Sequence, residues 1–279
     1  FKVAVLDPTP RSPAAQVADT HVLGSYTDAQ KMEELAGISD VLTYEIESVN
    51  ADALEKLSER MPVHPTPATL SIIKDKLLQK SFLRSRGIPV APFAPENEAT
   101  SLGYPYILKA RRGGFDGRGN ALLEKEGDLK KARTKLKGAD VYAEGFVRFE
   151  KELAVVAART PDGEIRIFPL VETIHKDHIC HMVLCPAPVS RDIEIAAFNI
   201  AKKVLESFEG AGVFAIELFL SNGKILVNEI APRVHNSGHL TIEGNHTSQF
   251  EQHLRAVCGH QVEQPRRRLL PLPLVAVDL

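Results

Sequence analysis

The sequence is short of the residues and patterns that mark secreted or membrane proteins. Its 279 residues include no tryptophan and only three cysteines, Cys180, Cys185 and Cys258, which form no CxxC pair. An odd, scattered set gives no disulfide framework and fits a reducing compartment. No apolar run approaches the roughly 20 residues of a membrane span, and no signal-peptide pattern opens the chain. We therefore expect a cytoplasmic protein with no membrane partner.

An excess of charge of either sign is also missing. Lysine and arginine number 34, and aspartate and glutamate number 36, so the formal net charge is −2. A dedicated nucleic-acid-binding protein needs a basic face that displaces counterions, and this balance argues against such a partner. What is present is ordinary: 44% apolar and 25% charged residues, in a chain long enough for two or three small globular domains.

The first 65 residues alternate between strand-like and helical patterns. We predict strands over 1–6 and 41–46, and helices over Ala29–Ala36 and 51–60. This alternation predicts a parallel sheet covered by helices, with ligands beyond the carboxyl ends of the strands. Asp7, Glu45 and Glu47 lie near those ends. Because the chain opens directly in a strand, without an initiator methionine, we expect a Rossmann-like domain whose first strand is missing.

Three prolines between residues 62 and 67 mark the first domain boundary. Beyond them the patterns predict helices over 68–86, 128–136, 193–208 and 248–258, and strands over 104–110, 121–124, 141–146, 152–158, 165–171, 179–184, 212–220 and 224–230. An apolar, strand-like stretch in the tail has no evident partner. We expect domains at 1–66, 67–140 and 141–260, and the start of a truncated domain at 261–279.

A glycine-rich, basic segment at 111–120 joins two of these predicted strands. It holds four glycines and three arginines, and Lys109 lies just before it. Glycines let backbone N–H groups approach an anion closely, and the cations add attraction, so the segment suits a polyphosphate. It is not a Walker A loop, because no Gly-Lys-Ser/Thr sequence opens a helix. A solvated hairpin is the alternative interpretation.

Glu217 and Glu229 lie on the two arms of a predicted hairpin with Ser221-Asn222-Gly223 at its tip. A three-residue loop would pair 220 with 224 and bring both glutamates to one face, whereas a two-residue Asn-Gly turn would send them to opposite faces. We predict the three-residue loop, because Glu217 interrupts an apolar strand where an unpaired carboxylate is costly. A Mg²⁺ ion shared with phosphates would offset that cost, and pairing with lysine or arginine is the alternative.

The segment that follows, 228–239, concentrates several chemistries just after a strand. Arg233 offers a planar fork for a carboxylate or phosphate, and His235 can move a proton near neutral pH. Asn236 adds an amide beside them. Functional groups on loops beyond strand ends are typical of binding sites, and an ordinary polar loop is the alternative.

A stretch rich in histidine and cysteine at 175–185 could indicate zinc. In an extended strand, however, alternation sends its possible ligands to opposite faces. We therefore predict that Cys180 and Cys185 are packing residues.

These three features, in this order, resemble the ATP-grasp superfamily. The run Asn228-Glu-Ile-Ala-Pro-Arg-Val-His-Asn-Ser-Gly-His239, followed by Thr247-Ser-Gln-Phe-Glu251 and His253-Leu-Arg-Ala256, is similar to the ATP-dependent carboxyaminoimidazole ribonucleotide synthetases of purine biosynthesis. Thr43-Tyr-Glu-Ile-Glu47 and Arg111-Arg-Gly-Gly-Phe-Asp-Gly-Arg-Gly119 agree with that family as well. The resemblance spans nearly the whole chain. It implies an α/β and α+β architecture, with an ATP-grasp fold preceded by a Rossmann-like parallel-sheet domain.

The resemblance also implies roles for individual residues. Lys76 and Lys109 would contact the ATP phosphates, and a mobile loop would cover them, formed by Gly114, Phe115, Asp116, Gly117, Arg118, Gly119 and Asn120. The backbone of Glu144, Gly145, Phe146 and Val147 would read adenine, Glu152 would hold the ribose hydroxyls, and His175, Asn228 and Glu229 would border the nucleotide. Glu217 and Glu229 would bind Mg²⁺ or Mn²⁺, and Arg233, His235 and Asn236 would surround bicarbonate and the aminoimidazole substrate.

The family reaction uses ATP, bicarbonate and 5-aminoimidazole ribonucleotide, and yields ADP, phosphate and the N-carboxyaminoimidazole ribonucleotide carbamate through carboxyphosphate. The resemblance further implies a homodimer and a functional link to the mutase that takes the product. Two alternatives stay open. One is another ATP-grasp ligase, such as a formate-dependent glycinamide ribonucleotide transformylase, and the other is an inactive fragment that binds nucleotide.

The chain departs from the family pattern in several places. The opening strand with its Gly-Gln-Leu-Gly-Arg-type phosphate loop is absent, and so is most of the small C-terminal domain that supplies a further lysine. Phe115 stands where the family commonly has tyrosine, and Glu229-Ile-Ala231 stands where many ATP-grasp enzymes have Glu-x-Asn. We therefore expect an intact nucleotide half and an incomplete substrate half.

Overall fold

The structure is a computed structural model that describes residues 1–114 and 118–268, together with the backbone of 274–277. Within these residues the chain forms two small parallel ribbons, a four-stranded sheet and a seven-stranded sheet. No helix in this described part is long and apolar enough to cross a bilayer.

The N-terminal part contains both parallel ribbons. Its elements are β1 (Ala4–Asp7), β2 (Thr20–Leu23), α1 (Ala29–Ala36), β3 (Leu42–Thr43), α2 (Ala51–Ser58) and β4 (Val63–His64). β1 pairs with β2 and β3 with β4, in parallel, so the predicted parallel arrangement is confirmed. Met32, Leu54 and Leu57 pack in its core. We did not predict β2 and β4, because β2 buries only Val22 and β4 is two residues long within the proline cluster.

The helix predicted over 68–86 is in fact two helices, α3 (Pro67–Ile73) and α4 (Lys76–Ser85). Asp75 separates them, because its side chain accepts hydrogen bonds from the first backbone N–H groups of α4 and caps that helix. The fully buried Asp75 carboxylate is also held by Arg111 at 2.7 Å and Arg112 at 3.2 Å. Two of the three arginines expected to attract phosphate therefore pair with this carboxylate and fix the start of α4.

The four-stranded antiparallel sheet carries the glycine-rich segment. It consists of β5 (Phe93–Pro95), β6 (Tyr106–Ala110), β7 (Asn120–Leu123) and β8 (Val141–Gly145) in the order β5-β8-β6-β7, covered by α5 (Leu129–Lys135). Leu108, Leu123 and Ala143 are fully buried in its core. Lys109 near the end of β6 pairs with Asn120 at the start of β7, and the Ala110 N–H donates to the Gly119 carbonyl, so the two described ends of the segment lie side by side.

The seven-stranded antiparallel sheet is the largest element of the fold. Its members are β9 (Lys151–Arg159), β10 (Ile165–Ile167), β11 (Val171–Lys176), β12 (Ile179–Cys185), β13 (Gly212–Ser221), β14 (Lys224–Ala231) and β15 (Leu274–Val277). The order is β14-β13-β9-β11-β12-β15, with β10 beside β9. Helix α6 (Arg191–Ser207) buries Ala197, Ala201 and Val204 with the β9 and β13 side chains. The short α7 (Thr241–Gly244) and α8 (Gln249–Val257) complete the fold.

Two predictions about this sheet need correction, and one is confirmed. The strand predicted over 165–171 is divided into β10 and the start of β11. The tail strand has a partner after all, because β15 pairs antiparallel with β12, far away in sequence. Cys185 is buried beside Val183 and Leu240, and Cys180 packs against the same cluster, as predicted for packing residues.

Candidate active site

The turn of the β13–β14 hairpin contains two residues, Asn222 and Gly223, with φ angles of +50° and +69°. They connect the paired residues Ser221 and Lys224, so the predicted three-residue loop is wrong. Asparagine tolerates the left-handed region, and an Asn-Gly turn of this kind matches the twist of a β-ribbon. By itself, this turn would put the two candidate glutamates on opposite faces.

Further along the ribbon a β-bulge reverses that outcome. Leu218 pairs with Val227, but the preceding residue Glu217 pairs with Glu229, so Asn228 is the extra residue. One extra residue shifts the alternation of side chains by one and returns Glu229 to the face of Glu217. The predicted shared face is confirmed, although the register that we predicted for it is not.

Each of the two carboxylates contacts a different neighbour. Lys76 Nζ lies 2.5 Å from Glu229 Oε1, while the Asn228 amide donates to Glu217 Oε2 at 3.1 Å. The glutamate side chains stay 41% and 32% exposed, respectively, so both are open to a ligand. Burial would raise the pKa of Glu229, but the charge and hydrogen bond of Lys76, together with the charges of Lys109 and Lys80, outweigh burial and lower it.

Glu144 forms a second acidic centre that is sealed. It is only 2% exposed, and its carboxylate lies 2.8 Å from Lys80 Nζ and 2.6 Å from Lys109 Nζ. The Tyr142 hydroxyl donates to it at 3.2 Å, and Lys80 also donates to the Val227 carbonyl. Burial alone would raise the pKa of Glu144, but the two lysine charges outweigh burial and lower it to about 2. This centre ties α4, β6, β8 and β14 together.

The candidate catalytic loop begins where β14 ends. Arg233 Nε donates to Glu47 Oε1 at 2.9 Å, so an acid that follows β3 reaches this loop. His235 faces Glu217, with 3.6 Å between Nε2 and Oε1. Asn236 is exposed at the start of a single 3₁₀ turn. The structure thus brings His235 beside Glu217 and Arg233 beside Glu47, with Asn236 exposed on the same loop.

The hydrogen bonds of His235 define its protonation. The Ser237 backbone N–H points at Nδ1 from 3.4 Å, and the Ser237 hydroxyl lies 3.0 Å from the same atom. Nδ1 is therefore the acceptor, and Nε2 carries the proton that faces Glu217. Burial lowers the pKa of His235, and the charge of Glu217 only partly opposes this. The ring is neutral near pH 7.

His253 joins the N-terminal part to the large sheet. Its Nδ1 accepts the Val213 backbone N–H at 3.1 Å, and its Nε2 lies 2.8 Å from the Thr43 hydroxyl. Burial, with a smaller contribution from His64, lowers the pKa of His253 to about 4. The neutral ring therefore bridges Thr43 on β3 and Val213 on β13, and it holds Glu47 within reach of Arg233.

The residues expected to hold adenine and ribose lie at the end of β8, on β9 and on β11. The chain leaves β8 after Gly145, whose N–H donates to the Pro92 carbonyl, and the next residue, Phe146, is 41% exposed. Val147 is half-buried. Glu152 on β9 forms an ion-pair contact with His175 on β11, so these two predicted site residues do meet.

The glycine-rich segment is described at both of its ends. Gly119 has a φ of +93°, and a Cβ on it would come within 3.2 Å of the Gly114 Cα. A Cβ on Gly114 would come within 2.9 Å of the Arg118 carbonyl oxygen. These glycines are required by the close approach of the two ends of the segment. The predicted loop residues Phe115, Asp116 and Gly117 lie outside the described residues.

Lys80 is the functional candidate that sequence analysis missed. It lies one helical turn after Lys76 on α4, and it is 1% exposed. Residues at i and i+4 share a helix face, so the Lys76–Lys80 spacing was a usable signal. A lysine is rarely fully buried without a partner, and Glu144 was the partner that the sequence could not reveal.

Comparisons with known proteins identify the family of the chain. The ribonucleotide synthetase preATP-grasp domain matches residues 1–74, and the ATP-grasp domain matches residues 81–250. The chain is 39% identical over 267 residues to the N5-carboxyaminoimidazole ribonucleotide synthase of Bacillus subtilis, covering 93% of this chain and 70% of that protein. The chain belongs to this family of ATP-grasp proteins. The predicted superfamily and fold class are confirmed.

Two further members of the family bear on the site. The chain is 44% identical over 272 residues to a phosphoribosylaminoimidazole carboxylase of Ogataea methanolica, covering 93% of this chain and 50% of that protein. It is also similar to the Aspergillus clavatus N5-carboxyaminoimidazole synthase in complex with ADP and 5-aminoimidazole ribonucleotide. That structure has a TM-score of 0.87 at 38% identity and covers 93% of this chain and 71% of its own. The chain spans about half the length of the first curated relatives that it matches.

Proposed function

We propose that the protein carries out the ATP-dependent carboxylation of 5-aminoimidazole ribonucleotide with bicarbonate. The products are N5-carboxyaminoimidazole ribonucleotide, ADP and phosphate, on the route to purine nucleotides. The observation that carries this proposal is the direct pairing of Glu217 with Glu229, with Lys76 on one side and the Arg233–His235 loop on the other. The names of its relatives support the same substrates.

A metal ion fits the carboxylate pair. Both donors are carboxylates, they pair at one ladder position, and Glu229 already contacts one cation, the Lys76 ammonium, which supports this proposal. Glu217 and Glu229 would hold Mg²⁺ or Mn²⁺ together with phosphate oxygens. When bound, the ion neutralises phosphate charge and polarises the transferred group.

Nucleotide binding falls to the two lysines at the edges of the site. Lys109 and Lys76 are paired with Glu144 and Glu229 in this structure, and both would be shared with a phosphate when nucleotide binds. The segment 114–120 would cover the phosphates and exclude water. The backbone of 144–147 would read adenine, while Glu152 and His175 would border the ribose.

The chemical steps use the loop that follows β14. A bicarbonate oxygen bonds to the γ-phosphorus as the bond to ADP breaks, and carboxyphosphate forms. Arg233 holds its carboxylate while the C–O bond breaks to give carbon dioxide and phosphate. The amine of the ribonucleotide bonds to carbon dioxide and loses a proton. We assign His235 as the proton carrier, because its ring is neutral and its Nε2–H faces the carboxylate pair. Nε2 passes its proton to the phosphate released with carbon dioxide and takes the proton that the amine loses, while Asn236 orients the substrate.

The setting of the enzyme is part of the proposal. We infer a cytoplasmic enzyme that acts as a homodimer and passes its product to a mutase that moves the carboxylate to carbon. The even charge balance gives no support to a nucleic-acid partner. Sedimentation of the pure protein tests the dimer.

The deciding experiment is substrate-dependent ATP hydrolysis. Purified protein with Mg·ATP should release phosphate only when both bicarbonate and 5-aminoimidazole ribonucleotide are present. Replacing them with formate and glycinamide ribonucleotide should give no stimulation. Stimulation by formate would indicate the transformylase reaction instead, and calorimetric binding of Mg·ATP without any turnover would indicate an inactive nucleotide-binding protein.

A further inference from the structure

Three glutamines of this fold share one unusual arrangement. Each is buried to 99% or more, and its side-chain amide bonds both the N–H and the C=O of one residue in another segment. The three pairs are Gln79 with Ile230, Gln249 with His235, and Gln252 with Glu263. We call this arrangement a glutamine clip. The clip pairs both backbone hydrogen-bonding groups of one residue, as a neighbouring strand does along a β-ladder.

Two of the clips hold the segment that carries the candidate chemistry. Gln79 Oε1 accepts the Ile230 N–H at 3.1 Å and its Nε2 donates to the Ile230 carbonyl at 3.3 Å, one residue after Glu229. Gln249 Oε1 accepts the His235 N–H at 3.0 Å and its Nε2 donates to the His235 carbonyl at 2.8 Å. The backbone is therefore fixed at Ile230 and again at His235.

The second clip lies where the sheet no longer supports the chain. Strand β14 ends at Ala231, so the backbone at His235 has no ladder partner. Thr241 braces the same turn, since its hydroxyl accepts the Gln249 N–H at 2.9 Å and donates to the Gly238 carbonyl. The ring of His235 faces Glu217 only while this backbone is held in place.

Gly238 is fitted to the second clip. A Cβ at this position would overlap the amide group of Gln249. Because Gln249 is fully buried, with its amide bonded to His235, it has little room to move aside. A glycine at 238 is therefore a condition for the clip at His235.

We propose that Gln79 and Gln249 are positioning residues that set the geometry of Glu229 and His235, respectively. This inference rests on the proposed function, because the geometry matters for that reaction. Gln252 supplies the internal comparison. It lies on the same helix as Gln249, is equally buried and makes the same two bonds, but it holds Glu263, which has no part in the site.

The test replaces each glutamine with methionine, which is similar in volume and removes both bonds, and at Gln79 it also removes the bond from Nε2 to the Ile73 carbonyl. All three variants should lose thermal stability to a similar degree. Gln252→Met should keep kcat within about twofold. Gln249→Met should lower kcat by about 10- to 100-fold with the KM for Mg·ATP unchanged, because misplacement near the reacting groups acts on the chemical step. Gln79→Met should raise the Mg²⁺ requirement and the KM for Mg·ATP about tenfold.

All assays are run below the melting temperature of every variant. The positioning role would be overturned if kcat in Gln249→Met, and the KM for Mg·ATP in Gln79→Met, changed no more than in Gln252→Met. Absence of turnover by the wild-type protein would instead overturn the proposed function, and this inference with it. Gly238→Ala provides a variant that keeps the glutamine. It should reproduce the loss in kcat, and combining it with Gln249→Met should add nothing, whereas additive losses would show that the two act independently.

Discussion

The site contains two acidic centres that face lysines, yet their surroundings are opposite. Glu144 is sealed, with a side chain only 2% exposed and two ammonium groups against it. The Glu217 and Glu229 side chains are 32% and 41% exposed, and among the described residues one lysine, Lys76, forms an ion pair with them. A sealed ion pair supports the fold, because removing one partner leaves a buried charge. An open carboxylate pair remains available to a ligand, so this difference separates the scaffold from the chemistry.

The largest expected effect is on the sealed centre. Glu144→Gln should lower the free energy of unfolding by about 3–5 kcal/mol, because Lys80 is left buried without its counter-charge. Urea unfolding followed by circular dichroism measures this change. Glu172→Gln is the matched control, since the Lys151–Glu172 pair has the same 2.8 Å separation with more exposure, and it should cost under about 1 kcal/mol. Equal costs in the two variants would contradict the contrast.

The second-largest expected effect is a loss of the stability contributed by the sealed centre as the pH is lowered. The pKa of Glu144 falls from an ordinary 4.5 to about 2 on folding, so its stabilisation is complete above pH 4.5 and is lost as the pH falls toward 2. The difference corresponds to about 3 kcal/mol. The gap in unfolding free energy between wild type and Glu144→Gln should therefore narrow between pH 5 and pH 2.5. A gap that stays constant over that range would show that the carboxylate titrates normally.

A substitution in the open pair should lower activity and leave stability almost unchanged, which is the reverse of the effect expected at Glu144. Glu217→Gln should reduce kcat for ribonucleotide-dependent ATP hydrolysis by at least about 100-fold, which is about 2.7 kcal/mol of transition-state stabilisation. The free energy of unfolding should stay within about 0.5 kcal/mol of wild type, because the side chain is partly exposed. Steady-state kinetics and urea unfolding on one preparation test both parts. A variant that is unstable but active would reverse our assignment of the two centres.

The smallest expected effect is at Glu152, whose exposure of 23% lies between those of the two centres. Glu152→Gln should raise the KM for ATP about tenfold, because a charged hydrogen-bond acceptor for the ribose is lost. With 2′-deoxy-ATP or 3′-deoxy-ATP in place of ATP, kcat/KM should fall by a smaller factor in the variant than in the wild type. Unchanged discrimination would place the ribose elsewhere.

Local patterns predicted much of the fold. The alternation of residues 1–65 predicted parallel pairing, and the amphipathic spacing after Ser190 predicted α6 (Arg191–Ser207) nearly to its ends. The break between α3 and α4 was not visible, because it depends on the Asp75 side chain capping the backbone N–H groups of α4 and on Arg111, which follows β6, holding that carboxylate. The partner of β15 lies about 90 residues earlier in the chain, beyond the reach of any local pattern.

The site was predictable in its composition more than in its geometry. Glu217, Glu229, Arg233 and His235 could be selected because each places costly chemistry next to apolar strands. Lys80 was missed because its partner Glu144 is 64 residues away, and nothing local requires a buried lysine. The register was wrong because a bulge has no sequence signal of its own, and Asn228 became recognisable only through its pairing.

The tight Asn222–Gly223 turn and the bulge at Asn228 form a parity pair along one ribbon. The turn alone, or the bulge alone, would place the Glu229 side chain on the face opposite to Glu217. With both present, Glu229 pairs directly with Glu217. Deletion of Asn228 would therefore leave a regular ladder in which Glu229 still pairs with Glu217. Insertion of one further residue between Lys224 and Glu229 would instead turn the carboxylate toward the apolar layer under α6, unless a second bulge absorbed it. This arm of the ribbon can lose its one extra residue, but it cannot gain another without moving the carboxylate.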